Sequence, residues 1–259
     1  MKVHLIQFSP LWEDKEANFT RVENLIQKSS SEPGSLVVLP EAFATGFSLN
    51  LQVTCDGEPE QTHAFLSRLS STHKIWILAG LITPDPDSAM GKNIAVLFNP
   101  EGERVGEYQK MHPFTPMGED KVHLVGQEPQ IFSIGNFLLS PVLCYDLRFP
   151  ELFRASVKQG ANLFVVLASW PDSRMSHWHA LLKARAIENQ AYVIGVNRTG
   201  SDPNHQYAGG SKVIDPMGKT SAESNMEEEL VSFTIEHTLM EDWRSSFPAL
   251  EDIREDLGC

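Results

Sequence analysis

Three reactive side chains in this sequence each follow a segment that is typical of a strand. Glu41 comes one residue after an apolar run, Lys110 ends a second segment, and Cys144 directly follows a third. Taken singly, each has a simpler explanation, as a polar strand end, a solvated lysine or a buried thiol. Together they offer a base, a cation and a nucleophile, the set that covalent attack on a carbonyl carbon requires.

The elements that must position these side chains alternate between strands and helices. Apolar and alternating runs predict strands over 3–8, 35–39, 75–81, 94–98, 105–109, 130–134, 137–143, 163–167, 192–197, 212–214 and 229–235. Helical spacing of apolar residues predicts helices over 18–27, 62–73, 150–159 and 176–190. We expect the last two strands to form a pair on either side of the turn 215–218. This alternation, interrupted by hairpins, predicts an α/β fold with mixed sheets covered by helices.

Length and composition limit the class of protein. The chain has 259 residues, of which 41% are hydrophobic, and this fits a single domain over 1–259. Its 21 basic and 34 acidic residues give a formal net charge of −13, so we expect no nucleic acid and no anionic membrane as a partner. No apolar run approaches the length of a membrane span. The 3 cysteines are too few for a disulfide framework, and we expect a cytoplasmic protein.

Blocks distributed along the chain resemble the nitrilase superfamily of carbon–nitrogen hydrolases. The motifs LPE at 39–41, YQKMHPF at 108–114 and PVLCYDLRFPEL at 141–152 are similar to its three signature blocks. The stretches 169–200 and 243–256 resemble the ω-amidase and Nit-like branch of that superfamily. Several blocks in the expected order are more specific than any single short motif.

This resemblance implies a fold and an assembly. The implied fold is an α/β four-layer α-β-β-α sandwich with two mixed sheets. The family usually dimerises through one helical layer, so we expect a homodimer with the C-terminal tail, about 240–259, at its interface. The implied chemistry requires no metal and no cofactor.

The same resemblance assigns roles to the reactive residues. Cys144 is the expected nucleophile, Glu41 the general base, and Lys110 the group that stabilises the tetrahedral oxyanion. The backbone N–H of Tyr145, which follows the nucleophile, is the natural second donor to that oxygen. Because the thiolate is the reactive form of cysteine, we also expect the Lys110 ammonium to favour ionisation of Cys144.

A second glutamate has an expected role in the loop after the lysine. In the family such a residue positions the substrate and the lysine, and Glu119 occupies the matching loop, with Asp120 as the alternative. A solvated acidic loop is the simpler explanation of both. His112 could instead pair with Cys144 in a papain-like arrangement, but its motif fits the lysine block better, so we expect a structural role for His112.

Arginine side chains are the candidates for holding a substrate carboxylate, because a guanidinium binds a carboxylate through two hydrogen bonds. Arg174 follows the strand predicted over 163–167 and is expected at the rim of the pocket. Arg148 could serve in the same way, but we favour a structural ion pair with Glu151 or Asp146. The expected aromatic walls of the pocket are Trp170 and Phe43.

The expected reaction is hydrolysis of a small carboxylate-bearing amide to an acid and ammonia through a cysteine thioester. In the ω-amidase branch the substrate is α-ketoglutaramate or α-ketosuccinamate, and we expect the same here. Another amidase of the superfamily, acting on deaminated glutathione or on an N-carbamoyl amino acid, is the alternative, and the short chain makes a true nitrilase less fitting. A catalytically inactive binding protein on the same fold is a further alternative, which the presence of all three reactive residues disfavours.

Overall fold

The computed structural model describes residues 1–28, 31–56 and 60–254. Its strands are β1 Lys2–Gln7, β2 Leu36–Val38, β3 Trp76–Pro84, β4 Gly91–Phe98, β5 Arg104–Gln109, β6 Phe132–Ile134, β7 Phe137–Leu143, β8 Leu163–Ala168, β9 Tyr192–Asn197, β10 Thr199–Ser201, β11 Gln206–Ala208, β12 Lys212–Ile214, β13 Thr220–Glu223 and β14 Glu229–Thr234. Its helices are α1 Lys15–Lys28, α2 Leu51–Thr54, α3 Gln61–His73, α4 Pro150–Lys158, α5 Met175–Asn189 and α6 His237–Ser246. Within this described part, no helix combines the length and the apolar character needed to cross a membrane.

Two mixed sheets of six strands each form the centre of the fold. The first has the strand order β14-β1-β2-β3-β4-β5 and the second the order β13-β12-β9-β8-β7-β6. In each sheet three consecutive strands run parallel, namely β1 to β3 and β7 to β9. The strands outside these parallel sets join the sheets in antiparallel pairs. With helices on their outer faces, the sheets form the expected α-β-β-α sandwich, so this prediction is confirmed.

The alternation of side chains along β1 shows how the layers arise. Val3 and Leu5 belong to the core between the two sheets, whereas Ile6 belongs to the core beneath α1 and α3. Since successive strand residues point to opposite faces, one apolar strand contributes to two layers. On α1, Phe19 and Val22 are buried at the spacing that places both on one face of a helix. Burial on both faces therefore explains why the central strands are almost uniformly apolar.

The end of the chain departs from the expected pairing. The strand β12 pairs across the turn 215–218 with the short strand β13, and not with β14. The strand β14 instead pairs antiparallel with β1 in the first sheet. The chain thus passes from the second sheet to the first between β13 and β14. Near this connection, the main-chain N–H of Ser211 and the side-chain hydroxyl of Ser224 donate hydrogen bonds to Gln7 Oε1 on β1. Strand type was visible from the sequence, but the choice of partner strand depends on contacts between distant segments.

The ends of strands from both sheets meet along one edge of the sandwich. The strand β5 is antiparallel to β4, which is antiparallel to β3, so β2, β3 and β5 all end at this edge. At Gly80 the backbone of β3 passes close to Glu41, because a Cβ added at Gly80 would lie 2.6 Å from the Glu41 Cα atom. The main-chain N–H of Phe43 also donates to the Gly80 carbonyl oxygen at 3.0 Å. The segment that carries Glu41 is therefore fixed by direct packing against β3.

We expect Gly80→Ala to push the Glu41 backbone away from β3, because the added methyl group has no space. Overpacking of this kind costs about 1–3 kcal/mol of folding free energy. It is also expected to slow alkylation of the Cys144 thiol, because Glu41 is displaced. Urea unfolding and mass spectrometry of the alkylated Cys144 peptide measure the two effects.

The matched control is Gly106→Ala on β5, where the added Cβ would lie 2.7 Å from the ring of Phe132. This substitution is expected to lower stability without changing the alkylation rate. Equal alkylation rates in both variants would show that Gly80 does not set the position of Glu41.

Candidate active site

A buried lysine ammonium lies at the centre of the edge where the strands meet. The Lys110 side chain follows β5 and is 2% exposed. Its Nζ atom donates to Oε1 of Glu41 at 2.9 Å and to Oε2 of Glu119 at 2.8 Å. Both carboxylates are as buried as the lysine. The structure therefore brings together Glu41, Lys110 and Glu119, and it places Glu119 rather than Asp120 against the lysine.

Side-chain and main-chain donors complete this cluster. The amide Nδ2 of Asn93 donates to Glu41 Oε1 at 2.9 Å and to Glu119 Oε1 at 3.0 Å. The backbone N–H of Phe114 donates to Glu119 Oε2 at 2.5 Å, and the ring Nδ1 of His123 lies 3.2 Å from Glu119 Oε1. Asn93 and His123 are absent from the sequence predictions. The only signal for Asn93 is a polar side chain at the start of an apolar strand, which many edge positions share.

Cys144 stands where β7 ends and a 3₁₀ turn, Cys144–Arg148, begins. Its φ is +45°, a left-handed conformation that is strained for a residue with a Cβ atom. The thiol lies against the Glu41 carboxylate and the backbone N–H of Ser169, which also donates to Glu41 Oε2 at 3.0 Å. Tyr145 is the second residue of the turn, where a backbone N–H has no acceptor within the helix.

The charges of the cluster determine the protonation state of each member. Burial opposes the charged form of Lys110, but the carboxylates of Glu119 and Glu41 outweigh it and raise the Lys110 pKa. Burial likewise works against the Glu119 carboxylate, yet Lys110 and hydrogen bonds from His123 and Asn93 lower its pKa to about 2. The resting site thus holds an ionised lysine against the ionised carboxylate of Glu119.

The Lys110 ammonium favours ionisation of the Cys144 thiol, as expected from the sequence, but stronger effects outweigh it. Burial and the neighbouring Glu41 carboxylate raise the pKa of Cys144 well above its usual value, and the opposing effect of Lys110 is smaller. Burial is the larger cause, because a thiolate in the interior loses its hydration. The thiol is therefore protonated at rest, and Glu41 is placed to receive its proton.

The thiol opens into a cavity that encloses about 410 Å³, including its mouth. Of the pocket residues expected from the sequence, Tyr145, Arg148, Trp170 and Arg174 line this cavity. Phe43 does not, and that expectation is wrong. Its ring is fully buried beneath α1 and α3, and its centroid lies 6.2 Å from that of Phe19.

Aromatic walls of the cavity come from positions that the sequence did not reveal. The lining residues outside the sequence predictions include Phe47, Phe114, His205 and Tyr207. The ring of Phe47 lies 5.0 Å from Lys110 Nζ, where Phe43 was expected. The last two come from the hairpin formed by β10 and β11. No local motif distinguishes these side chains, since their placement depends on how this hairpin folds over the strand ends.

The ion pair favoured for Arg148 is also wrong, and the Nη1 atom of Arg148 lies 3.3 Å from Nδ1 of His177. Among the described residues Arg148 makes no ion pair with Glu151 or Asp146. Its guanidinium instead lies 4.6 Å from the ring centroid of Trp170, at the cavity wall. Burial and the nearby positive charge of Arg174 lower the pKa of Arg148. A residue that is kept close to a second guanidinium without a carboxylate partner is suited to bind an anion.

His112 has the structural position that was expected of it. Its Nδ1 atom lies 2.7 Å from Asp146 Oδ1, and its ring stacks on Phe149 at a centroid distance of 3.7 Å. The second oxygen of Asp146 accepts a hydrogen bond from the Tyr108 hydroxyl at 2.7 Å. Since His112 does not line the cavity into which the thiol opens, a papain-like pairing with Cys144 has no support in this geometry.

Comparison with known proteins connects this geometry to a family. The model of the carbon–nitrogen hydrolase family matches residues 2–245. The chain is 35% identical to a 2-oxoglutaramate amidase of Bacillus subtilis over 98% of both chains, and 34% identical to the omega-amidase YafV of Yersinia enterocolitica over 97% of this chain and 96% of that one.

Two solved structures are similar over nearly their whole length. XC1258 of Xanthomonas campestris, described as a CN-hydrolase superfamily protein, superposes with a TM-score of 0.91 at 30% identity, covering 98% and 97% of the two chains. Nit3 of Saccharomyces cerevisiae, described as a member of branch 10 of the nitrilase superfamily, gives 0.87 at 28% identity, covering 96% and 94%. The resemblance found in the sequence is thereby confirmed.

We expect Glu119→Gln to reduce stability in a pH-dependent way. The lowered pKa of Glu119, about 2 against its usual 4.5, stabilises the folded state above about pH 4.5, and this contribution is lost as the pH falls towards 2. The difference in free energy of unfolding between the wild type and Glu119→Gln is therefore largest above pH 4.5 and shrinks below it. Urea unfolding at several pH values measures the difference.

The control for this experiment is Glu101→Gln, which replaces an exposed carboxylate in the turn between β4 and β5. The difference in free energy of unfolding between Glu101→Gln and the wild type is expected to be small at every pH. A stability loss in Glu119→Gln that stays constant down to pH 2 would contradict the ionised state of Glu119.

Proposed function

The chain belongs to the carbon–nitrogen hydrolase family, and we propose that it is an ω-amidase that hydrolyses the distal amide of α-ketoglutaramate or α-ketosuccinamate. The products are the corresponding dicarboxylate and ammonia. Relatives that share about a third of the sequence over most of their length are named 2-oxoglutaramate amidase and omega-amidase.

One observation carries the choice of substrate class. Two guanidinium groups, those of Arg148 and Arg174, line the same cavity as Cys144, and neither forms an ion pair within the described residues. Two unneutralised cations at one wall attract an anion, and a guanidinium binds a carboxylate through two hydrogen bonds. A short amide with a carboxylate at its far end has an amide carbon for Cys144 to attack and an anionic group for the two arginines to bind.

In the first half of the reaction the Cys144 sulfur attacks the amide carbon. The thiol proton passes to Glu41 as the S–C bond forms, because the thiol is protonated at rest. Lys110 and the backbone N–H of Tyr145 stabilise the negative charge that develops on the amide oxygen. One such donor is worth about 3–4 kcal/mol in the transition state. Glu41 then returns the proton to the leaving nitrogen, the C–N bond breaks, and ammonia departs.

The second half of the reaction removes the acyl group from sulfur. Glu41 takes a proton from a water molecule, whose oxygen attacks the thioester carbon. The tetrahedral species collapses with cleavage of the S–C bond, and the proton on Glu41 returns to the sulfur. General base assistance of this kind contributes on the order of 10²–10⁴ in rate. Glu119 takes no proton in this scheme and holds Lys110 in place.

We also propose that the chain, a single domain, acts as a homodimer with the tail 240–259 at the interface. The tail begins in α6, and residues 255–259 of it lie outside the described residues. Three large apolar side chains near α6 are about half exposed: Phe247 directly follows α6, Met217 lines a groove with α6 residues, and Ile187 lies beside Gly218. Their exposure supports an interface there. A cytoplasmic location is supported by the free thiols of Cys55 and Cys144.

A panel of amides tests the proposed function. We expect ammonia release from α-ketoglutaramate and α-ketosuccinamate to exceed release from an N-carbamoyl amino acid, deaminated glutathione or a nitrile. Cys144→Ala is expected to abolish turnover, and Glu41→Gln to lower it by at least about 10²-fold, the scale of general base catalysis. Turnover of the N-carbamoyl amino acid without turnover of either keto-acid amide would overturn the assignment, and activity retained in Cys144→Ala would overturn the mechanism.

The positive wall of the cavity yields a separate prediction. We expect Arg174→Gln or Arg148→Gln to raise the KM for α-ketoglutaramate by about 10- to 100-fold, since a hydrogen bond to a charged group is worth about 1.5–3 kcal/mol. The variant with the larger effect identifies the carboxylate partner. The KM for pentanamide, which has the same carbon chain but no carboxylate, is expected to stay unchanged.

The matched control is Arg68→Gln on α3, an exposed arginine paired with Glu23 on the outer surface. Steady-state kinetics of the three variants on both amides measure the effect. Equal losses on the charged and the neutral amide would show that the arginines shape the cavity without binding a carboxylate.

A further inference from the structure

Asn93 connects all members of the buried charged cluster. It is 1% exposed and lies opposite Ile82 near the start of β4. Its backbone carbonyl accepts the N–H of Lys110 at 2.9 Å, while its side-chain amide donates to Glu41 and Glu119. One residue thus holds the backbone of the lysine and the side chains of both acids.

The hydrogen bonds to Glu41 distinguish its two oxygens. Oε1 accepts from Lys110 Nζ and from Asn93 Nδ2, both at 2.9 Å, so both of its lone pairs are in use. Oε2 accepts from the backbone N–H of Ser169 at 3.0 Å, the same N–H that lies against the Cys144 thiol, and keeps one lone pair. A proton taken from the thiol therefore has a place on Oε2 and none on Oε1.

The orientation of the Asn93 amide follows from its surroundings. An amide nitrogen can only donate, and an amide oxygen in its place would face two carboxylate oxygens. The other end of the amide, Oδ1, has no hydrogen-bond partner in the described structure. An apolar side chain would fill this space without leaving a buried oxygen unpaired. The hydrogen bonds that the amide donates to the two carboxylates therefore explain why an asparagine occupies this position.

We propose that Asn93 is a positioning residue that reserves Oε2 of Glu41 for the thiol proton, by occupying Oε1, and holds Glu119 through the same amide group. This inference rests on the proposed function, in which Glu41 is the general base. Asn93 does not line the cavity, so it acts through Glu41 and not on the substrate. The charged and titratable groups facing the Glu41 carboxylate and its partners are Lys110, Cys144, Glu119 and His123.

The deciding variant is Asn93→Leu, which keeps the shape of the side chain and removes both donors. This variant loses a hydrogen bond that stabilises the Glu41 carboxylate, so we expect the acidic limb of the pH profile of kcat/KM to move upward. The value of kcat falls about 10-fold or more, as expected when a general base is misplaced, while the KM stays within about threefold of wild type. Asn93→Ser leaves room for a water molecule that can donate to the carboxylates. Its kcat and its acidic limb are therefore expected to lie between those of the wild type and Asn93→Leu.

A second readout does not depend on any amide substrate. Alkylation of Cys144 by iodoacetamide forms an S–C bond, expels iodide and passes the thiol proton to Glu41, so its rate has the same acidic limb. We expect Asn93→Leu to move this limb upward as well, followed by mass spectrometry of the Cys144 peptide. If wild type hydrolyses no amide of the panel but the alkylation limb moves, the proposed function fails and the role of Asn93 stands.

The matched control is Asn162→Leu, a buried asparagine remote from the site whose Oδ1 accepts the N–H of Leu138 at 2.9 Å. It is expected to lower the melting temperature without moving either pH limb. A loss of stability in Asn93→Leu with both limbs and kcat unchanged would overturn the proposal, because Asn93 would then be structural only. If Asn93→Leu does not fold, the limbs measured on Asn93→Ser decide in the same way.

Discussion

A fully buried ammonium is the constraint on which the rest of this site depends. An isolated Lys110 in the interior would lose its proton, because burial penalises the charged form. Two carboxylates keep it charged, and those carboxylates need donors of their own, which Asn93, Phe114 and Ser169 supply. Removing one member would leave its partners buried without compensation. The cluster therefore exists only as a set.

A lysine beside a cysteine could stabilise either the resting thiolate or the oxyanion that forms during attack, and this arrangement favours the second function. Lys110 favours the thiolate, but burial and the Glu41 carboxylate oppose it more strongly, so the thiol stays protonated at rest. Its remaining hydrogen-bonding capacity is available for an oxygen that becomes negative only during attack. A neutral nucleophile with a base in contact and a preformed cation is well suited to an amide, whose oxygen carries little charge until the carbon becomes tetrahedral.

The sandwich fold explains how groups so distant in the chain reach one another. The two acids and the lysine come from the first sheet and its loops, the cysteine and Ser169 from the second, and the site forms where the ends of both sheets meet. The same edge gathers Arg148 and Arg174 at one wall. In a chain with a formal net charge of −13, this local concentration of positive charge gives an anionic ligand a specific place to bind.

The sequence by itself determined most strands, most helices and the identities of Glu41, Lys110 and Cys144, because periodicity and short motifs are local properties of the chain. It did not distinguish Phe43 from Phe47 as a cavity wall, since both lie in the same loop and only packing selects which ring faces the site. The pairing of β14, the position of Arg148 at the cavity wall and the bridging amide of Asn93 also depended on the tertiary structure. So did the protonated thiol, because a pKa reflects every charge and donor within a few ångströms, and here those come from segments far apart in the sequence.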